Sequence, residues 1–476
     1  MQESVRQFQR PVAKVGLIFA LVIVAYFLDV IDFSIVQVAL PTIRSTFQAS
    51  LADIQWVVSA YALTIAGFLL LMGRAGDVYG QKKIFVGGLV IFTIASFSGG
   101  LAPSLLVLVI TRAIQGIGAA MTTVTAFAIF IALFPEGPER NRAFGVLIAV
   151  LSGGFAAGSV AGGVLTTFLG WRAVMFVNVP IGIAAAIACQ RVLPNFANRP
   201  ENYHLDVAGA LTVTVGTSLV VYGLTNAATV GLTSLETIIP LIVSIFVLSA
   251  FLVVESRSKS PLLPLGFLRR GSVLTANTLA LVFTSIIGGV SVIITVYLQT
   301  VLGYSPLYAG LGILPAALIF LVVGGWGAAK VVDRFGVRRV LIASSIMVSA
   351  GVALLIPISA ESSYLVVVPG LIVWALGASI GFPAVNIAAI AGTKHGEEGL
   401  ASGIVNTSFR IGFPLGLAVL LTVAGAFDPP TTSAATGLVT GFQYALAAGA
   451  LLGLLGLVIA SRIRDVEKHD WKNRLM

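Results

Sequence analysis

The chain predicts an all-α, polytopic membrane protein: two six-helix bundles plus two inserted helices, about 14 spans in all. Three observations carry that expectation. Of 476 residues, 58% are hydrophobic and only 10% charged, with a mean hydropathy of +1.02; a soluble chain keeps about a quarter of its residues charged. Apolar runs of about 20 residues, enough to cross a bilayer as a helix, recur along its whole length. A short glycine and charge pattern appears once in each half, marking an internal repeat.

The first run covers residues 15–40 and follows Arg6, Arg10 and Lys14. It is too long for a signal-peptide core and no small-residue cleavage site follows, so the first helix is expected to stay as an anchor. By hydropathy the next five spans fall near 51–72, 84–103, 105–134, 143–168 and 172–193. Two more, near 207–226 and 235–255, lie between the polar stretches Asn195–Asp206 and Ser256–Arg270. The last six fall near 272–302, 306–329, 340–359, 364–392, 399–425 and 438–461. The expected organisation is an N-terminal tail (1–14), a first bundle (15–193), a linker carrying the extra pair (194–271), a second bundle (272–461) and a C-terminal tail (462–476).

The net charge of +9 is a topology signal. Under this count the basic N-terminus, Arg74/Lys82/Lys83, Arg140/Arg142, Arg191/Arg199, Arg257/Lys259/Arg269/Arg270, Lys330/Arg334/Arg338/Arg339, Lys394 and the tail after Arg462 share one face. The other face holds only Arg44 and Arg172. Basic loops stay in the cytoplasm, so both termini are expected there, in a multi-pass protein of the cytoplasmic membrane. Nucleic acid loses its main support as a partner. Lone Cys189 offers no intramolecular disulfide and reads as a small buried residue.

The repeat is Gly73-Arg-Ala-Gly-Asp77-Val-Tyr-Gly80-Gln-Lys82-Lys83, between the second and third spans. It returns as Ala329-Lys330-Val-Val-Asp333-Arg334-Phe-Gly336-Val-Arg338-Arg339, between the tenth and eleventh. Each has an Asp, a Gly three residues on, then two basic residues. Glycines allow a tight, closely packed helix connection. Asp77 is expected at a helix N-terminus or against an Arg, in a loop that works as a moving joint.

These residues resemble the major facilitator superfamily, and within it the 14-helix drug:proton antiporter branch. Gly73–Lys83 looks like its motif A, a gating element. Asp32-Phe-Ser-Ile-Val-Gln-Val-Ala-Leu-Pro41 looks like its first-helix motif, and Arg112-Ala-Ile-Gln115-Gly116-Ile-Gly118 like motif B. Trp171-Arg172 through Asn178-Val-Pro180-Ile-Gly182 resembles the start of its sixth helix. Pro261–Pro264, Tyr297-Leu-Gln299 with Gly303-Tyr-Ser-Pro306, and Ala401-Ser402-Gly403 through Arg410-Ile-Gly412 resemble later stretches. The likeness covers nearly the whole chain and implies proton-coupled efflux of amphipathic organic compounds by alternating access. Three departures stand out. The motif C-like stretch on helix five, Gly154-Phe-Ala-Ala-Gly158-Ser159-Val-Ala-Gly162-Gly163, has Ser159 where the family has a proline associated with antiport. Its glycines still imply close helix packing. Motif A has Val78 and Gln81 where an Arg is usual, and its repeat has Ala329 for Gly. No carboxylate lies in the middle of helices ten or thirteen.

Asp29 and Asp32 are then the deep carboxylates, three residues apart and so on one helix face. A carboxylate inside a membrane is paired, protonated or used. Counting a 1.5 Å rise from Val15 puts Asp32 about 25 Å up helix one, and counting from Leu105 puts Arg112 about 10 Å down helix four. In a core of about 30 Å the two share a level. Asp32 with Arg112 is therefore the expected proton-coupling pair, and a permanent strut between two helices is the competing reading. Asp29, one turn nearer the midplane where transporter sites sit, is a candidate for proton or cationic-substrate binding, with no partner assigned. Arg410 is a candidate to meet a carboxylate of the other half or an anionic substrate. Tyr61, Tyr297, Gln299 and Asn386 are polar groups within spans, hence candidate cavity liners, although such groups often only bond to neighbouring helices.

No phosphate-binding G-x-x-x-x-G-K-[ST] loop occurs. His204, His395 and His469 are dispersed over expected cytoplasmic segments, which argues against an intramembrane metal site. No nucleophile–base constellation stands out within the spans. No enzymatic activity, cofactor or metal is expected, and the expected partners are protons, a small-molecule substrate and the bilayer, for a monomer. A uniporter or importer of a small organic solute, or a non-transporting receptor, remains the alternative.

Overall fold

The computed structural model describes residues 12–134, 138–194, 206–258, 261, 263, 265–268, 270–391, 393, 397–427 and 434–463, and all regular structure among them is helical. Twelve helices are long and apolar enough to cross a membrane. Two further ones are shorter by that measure: the apolar part of the fifth helix, Gly153–Leu169, and the eleventh, Val337–Ala353. The expected tails beyond residues 12 and 463, the segment 195–205 and all three histidines lie outside the described residues.

The first helix is Val12–Phe47, running seven residues past the expected end and through Pro41. The second is Leu51–Tyr79, the third Gln81–Gly100, the fourth Leu105–Leu133, the fifth Pro138–Leu169 and the sixth Arg172–Val192. The seventh and eighth are Val207–Val230 and Leu235–Arg257. The ninth is Gly271–Val301. The tenth starts at Pro306, where Ser305 Oγ accepts from the Tyr308 amide and proline takes the first helical position, a favoured helix start. It widens over Phe320–Gly327 into i→i+5 hydrogen bonding and ends at Phe335. The last four are Val337–Ala353, Val367–Ala391, Glu398–Ala426 and Ala434–Ser461.

The repeated motif corrects one expectation. Gly73–Lys83 is not a loop: helix two continues to Tyr79, helix three begins at Gln81, and Gly80 alone joins them at φ +99°. Gly336 joins helices ten and eleven in the same way at φ +83°. Positive φ is costly for side-chain-bearing residues, which explains a glycine at both joints. Hydropathy ends the span where charges begin, but backbone hydrogen bonding does not depend on side-chain polarity, so the helix runs on. Asp77 accordingly sits in the last turn of helix two, not at an N-terminus. Its Oδ1 accepts from Gln81 Nε2 across the joint at 2.8 Å.

Packing repeats between the two halves. Helix one packs on four and five, and helix nine packs on twelve and thirteen. Helix three lies against four and six, and helix eleven against twelve and fourteen. Between the halves, helix five meets ten and helix two meets thirteen. Helix seven packs on eight and on both members of the second junction. Its Thr225 hydroxyl accepts from Gln55 Nε2 at 2.7 Å, and its Leu224 carbonyl accepts from Thr422.

Helix five shows why small residues matter. A Cβ on Gly162 would stand 2.8 Å from the Ile35 carbonyl oxygen, and one on Gly158 would collide with Ser34 of the same helix one. Gly154 faces Val30. Gly163 instead faces helix ten, with Leu307 Cα 2.7 Å from its would-be Cβ, so this stripe seats helix one and reaches the other half. Ser159 Oγ bonds back to the Phe155 carbonyl at 2.9 Å.

The two ends of the molecule differ. At the end opposite Gly80 and Gly336, one apolar cluster joins both halves through Ile35, Leu40, Val57, Val292, Ile313 and Leu417. At the Gly80/Gly336 end there are separate clusters, one around Val22, Phe85 and Ile129, the other around Phe283, Leu341 and Val405. Substituting Gly162→Val is expected to overpack the helix one–five contact by about 1–3 kcal/mol. It should lower the thermal midpoint of the detergent-purified protein by several degrees, whereas Gly16→Ala, with open space around its Cβ, should leave the midpoint unchanged.

Candidate functional site

Two ion pairs lie along one face of helix one, the first fully buried and the second with its arginine partly exposed. Asp32 is fully buried and its Oδ2 accepts from Arg112 Nη1 at 2.5 Å. Its Oδ1 accepts from Gln115 Nε2 at 2.9 Å and from Asn178 Nδ2 at 2.7 Å. Gln115 returns its Oε1 to Arg112 Nη1 at 2.6 Å and also donates to Ser96 Oγ at 2.7 Å. Arg112 is itself fully buried; its Nε donates to the Val57 carbonyl at 2.9 Å, and its guanidinium lies 4.1 Å above the Tyr61 ring. Helices one, four and six thus meet at a single carboxylate, held by one cation and two amide donors, and helices two and three join through Arg112 and Gln115. Charge-assisted hydrogen bonds of this kind are the strong ones. The Nη2 of Arg112 and Oδ1 of Asn178 have no hydrogen-bond partner among the described residues.

Asp29, one turn below, has the partner that sequence reasoning did not assign. Arg410 Nη2 of helix thirteen lies 2.9 Å from Asp29 Oδ2. Tyr61 donates a short hydrogen bond to Oδ1, and Thr123 donates to Oδ2 at 3.3 Å. Both hydroxyls come from the first half, while Arg410 reaches in from the second. Asp29 is 2% exposed and the Arg410 side chain 29%. Nearby, Phe33 and Phe413 meet edge to face with centroids 4.7 Å apart, a second bridge between helices one and thirteen.

Tyr61 connects the two pairs, since its hydroxyl serves Asp29 while its ring carries Arg112. Of the other expected cavity residues, Tyr297 and Gln299 lie elsewhere. Tyr297 is buried and donates to the Ser359 carbonyl at 2.8 Å, at the end away from Gly80. Gln299 donates to the Val38 carbonyl at 2.9 Å, tying helix nine to helix one. Asn386 bonds within its own helix to Phe382. Lys82 and Lys83 follow the Gly80 joint, and Arg334 lies exposed just before Gly336, packed over Phe335. Asp333 is half-buried in the last turn of helix ten. Arg74 donates to the Pro261 carbonyl, linking the first joint to the segment after helix eight.

Sequence reasoning missed Gln115, Asn178, Ser96 and Thr123. Gln115 is three residues from Arg112 and so shares its face. Thr123 is eleven residues on, close to three full turns. Asn178 stood only within the stretch that resembles the start of the family's sixth helix, with no role attached, and Ser96 carried no signal beyond being polar within a span.

Comparison with known proteins agrees with this architecture. The family model described as Major Facilitator Superfamily matches residues 22–417 and 328–474. The cephamycin export protein CmcT of Amycolatopsis lactamdurans is 39% identical over 84% of this chain and 83% of its own length. The puromycin resistance protein pur8 of Streptomyces alboniger is 35% identical over 92% of this chain and 89% of its own. Among solved structures, the human organic anion transporter MFSD10 (TETRAN) matches with a TM-score of 0.64 at 14% identity, covering 95% of this chain and all of that one. The chain, a multi-pass membrane protein by its apolar helices, belongs to the major facilitator superfamily.

Proposed function

We propose that this protein exports amphipathic organic compounds across the cytoplasmic membrane in exchange for protons, by alternating access. The observation that carries the reading is the ion pair between Asp29 and Arg410. It spans the two halves at the level where their shared apolar cluster gives way to separate ones. Relatives named for cephamycin export and puromycin resistance support a drug or antibiotic as cargo. Lys82, Lys83, Arg334, Arg338 and Arg339 at the Gly80/Gly336 end, against Arg44 and Arg172 at the other, support placing that end and both termini in the cytoplasm. The end where the two halves keep separate apolar clusters would then face the cytoplasm, with the glycine joints and their charged residues Asp77 and Asp333 acting as hinges of the cytoplasmic side.

The two carboxylates take different parts in this reading. Asp32 keeps Arg112, Gln115 and Asn178 whatever the other half does, since all three belong to the first six helices. It acts as the fixed knot of the first bundle and holds Tyr61 in place through Arg112. Asp29 loses its cation whenever helix thirteen moves away, and a buried carboxylate left with two neutral donors gains from protonation. Asp29 is therefore the proton-exchanging group.

In proteoliposomes, a pH gradient should drive substrate movement by the wild-type protein and not by Asp29→Asn. Full gradient-driven transport by that variant would overturn the assignment of Asp29. Asp32→Asn leaves Arg112 buried without a counter-charge, at a cost of about 3–5 kcal/mol. It should lower the thermal midpoint more than Asp29→Asn does, and the reverse order would sink the proposed division of roles. Orientation is testable because Cys189 is buried. A membrane-impermeant maleimide added to intact cells should label Glu361→Cys and spare Lys83→Cys, and the opposite pattern would invert the topology.

A further inference from the structure

The Asp29–Arg410 pair is unevenly anchored. Asp29 is held on its own side by the Tyr61 and Thr123 hydroxyls, and it is almost wholly enclosed. Arg410 is held through a single nitrogen. Its Nη2 meets Asp29 Oδ2, while Nη1 and Nε show no hydrogen bond among the described residues and the side chain is 29% exposed. When a two-sided contact opens, the partner with fewer anchors leaves. Here that is the arginine, carried by helix thirteen, while the carboxylate stays as a preformed acceptor between two hydroxyls.

Charge balance then restricts which group can take the place of the arginine. Arg410 supplies the only cation bonded to Asp29 among the described residues, because Arg112 is committed to Asp32 on the far side of the Tyr61 ring. The ionisable groups facing the site are Tyr26, Tyr61 and Arg410, with the Asp32–Arg112 pair one helical turn away on the other side of Tyr61. A buried carboxylate that loses its cation takes either a proton or another cation. We infer that Arg410 is an internal cation occupying a receptor for positively charged substrates at Asp29, so that arginine, proton and substrate cation are three alternative partners of one carboxylate. The substrate class it selects is an amine or onium group on an apolar body, admitted between Phe33, Tyr61 and Phe413. Arg410 sets specificity by competition, since a substrate must bind Asp29 more strongly than a tethered guanidinium does. The inference rests on the export reading for its biological meaning, but its test is a binding measurement that needs no transport.

Tetraphenylphosphonium and tetraphenylborate have nearly the same shape and opposite charge. Their binding to detergent-purified protein is to be measured by equilibrium dialysis for the wild type, Arg410→Gln, Arg410→Lys, Asp29→Asn and the Arg410→Gln/Asp29→Asn double variant. Removing the competitor should tighten tetraphenylphosphonium binding about tenfold in Arg410→Gln, the scale of one charge-assisted contact. Arg410→Lys, which keeps a cation on a differently shaped head, should gain less. Asp29→Asn and the double variant should bind the cation more weakly than the wild type. If Arg410→Gln does not yield a monodisperse protein, the smaller gain in Arg410→Lys decides the matter. Unchanged or weaker cation binding in the Arg410 variants overturns the inference, as does loss of tetraphenylborate binding, which would make Arg410 an anion receptor. A cation gain without gradient-driven efflux would refute the export reading alone.

Discussion

Charge inside a membrane has to be neutralised within the protein, and the fold is arranged around two places where that happens. Asp32 draws one cation and two amides from helices four and six, and through them reaches helices two and three. Taking away one member of such a buried network leaves an uncompensated charge, which costs more than the intact pair contributes. The network therefore specifies how five helices of the first half sit against one another. Tyr61, pinned beneath Arg112, is thereby positioned to donate to Asp29.

Close approach of backbones does the rest. Gly158 and Gly162 let helix five lie directly on helix one, and Gly163 meets helix ten where the halves are tightly joined. In the second half, Gly288 and Gly412 do the same for helices nine and thirteen, each facing backbone of the other helix. Paired faces without side chains are what a membrane bundle uses in place of a hydrophobic driving force. The shared apolar cluster closes one end of the molecule, and the Asp29–Arg410 ion pair between helices one and thirteen lies at the edge of that closure. A bridge made of one arginine nitrogen can break without disturbing either bundle.

Helix seven sits unlike the others. By packing on helices two and thirteen together, it covers one of the two junctions between the halves and leaves the junction of helices five and ten to their own contacts. The Gln55–Thr225 and Thr422–Leu224 hydrogen bonds attach it to both sides. Helix seven is thus part of the contact between the halves, and helix eight packs on helix seven.

Without the structure, the chain already specified an all-helical membrane fold, an internal repeat with a glycine at each joint, and a meeting of Asp32 with Arg112. These follow from properties local to the chain: hydropathy over about 20 residues, the left-handed backbone that favours glycine at Gly80 and Gly336, and the fixed rise of a helix, which converts residue counts to depth. Helix ends were less legible, because hydrogen bonding carries helix two through the charges of Arg74 and Asp77 to Tyr79. What the tertiary structure alone decided was the partnership across the two halves. Asp29 and Arg410 are 381 positions apart in the chain, and nothing in the pattern of either helix says that these two faces meet. Nor could spacing reveal that Tyr297 and Gln299 turn away from Asp29, to Ser359 and Val38. Depth is a property of one helix, whereas the rotation of each helix about its axis is set by all its neighbours. That rotation determines which buried charge faces which.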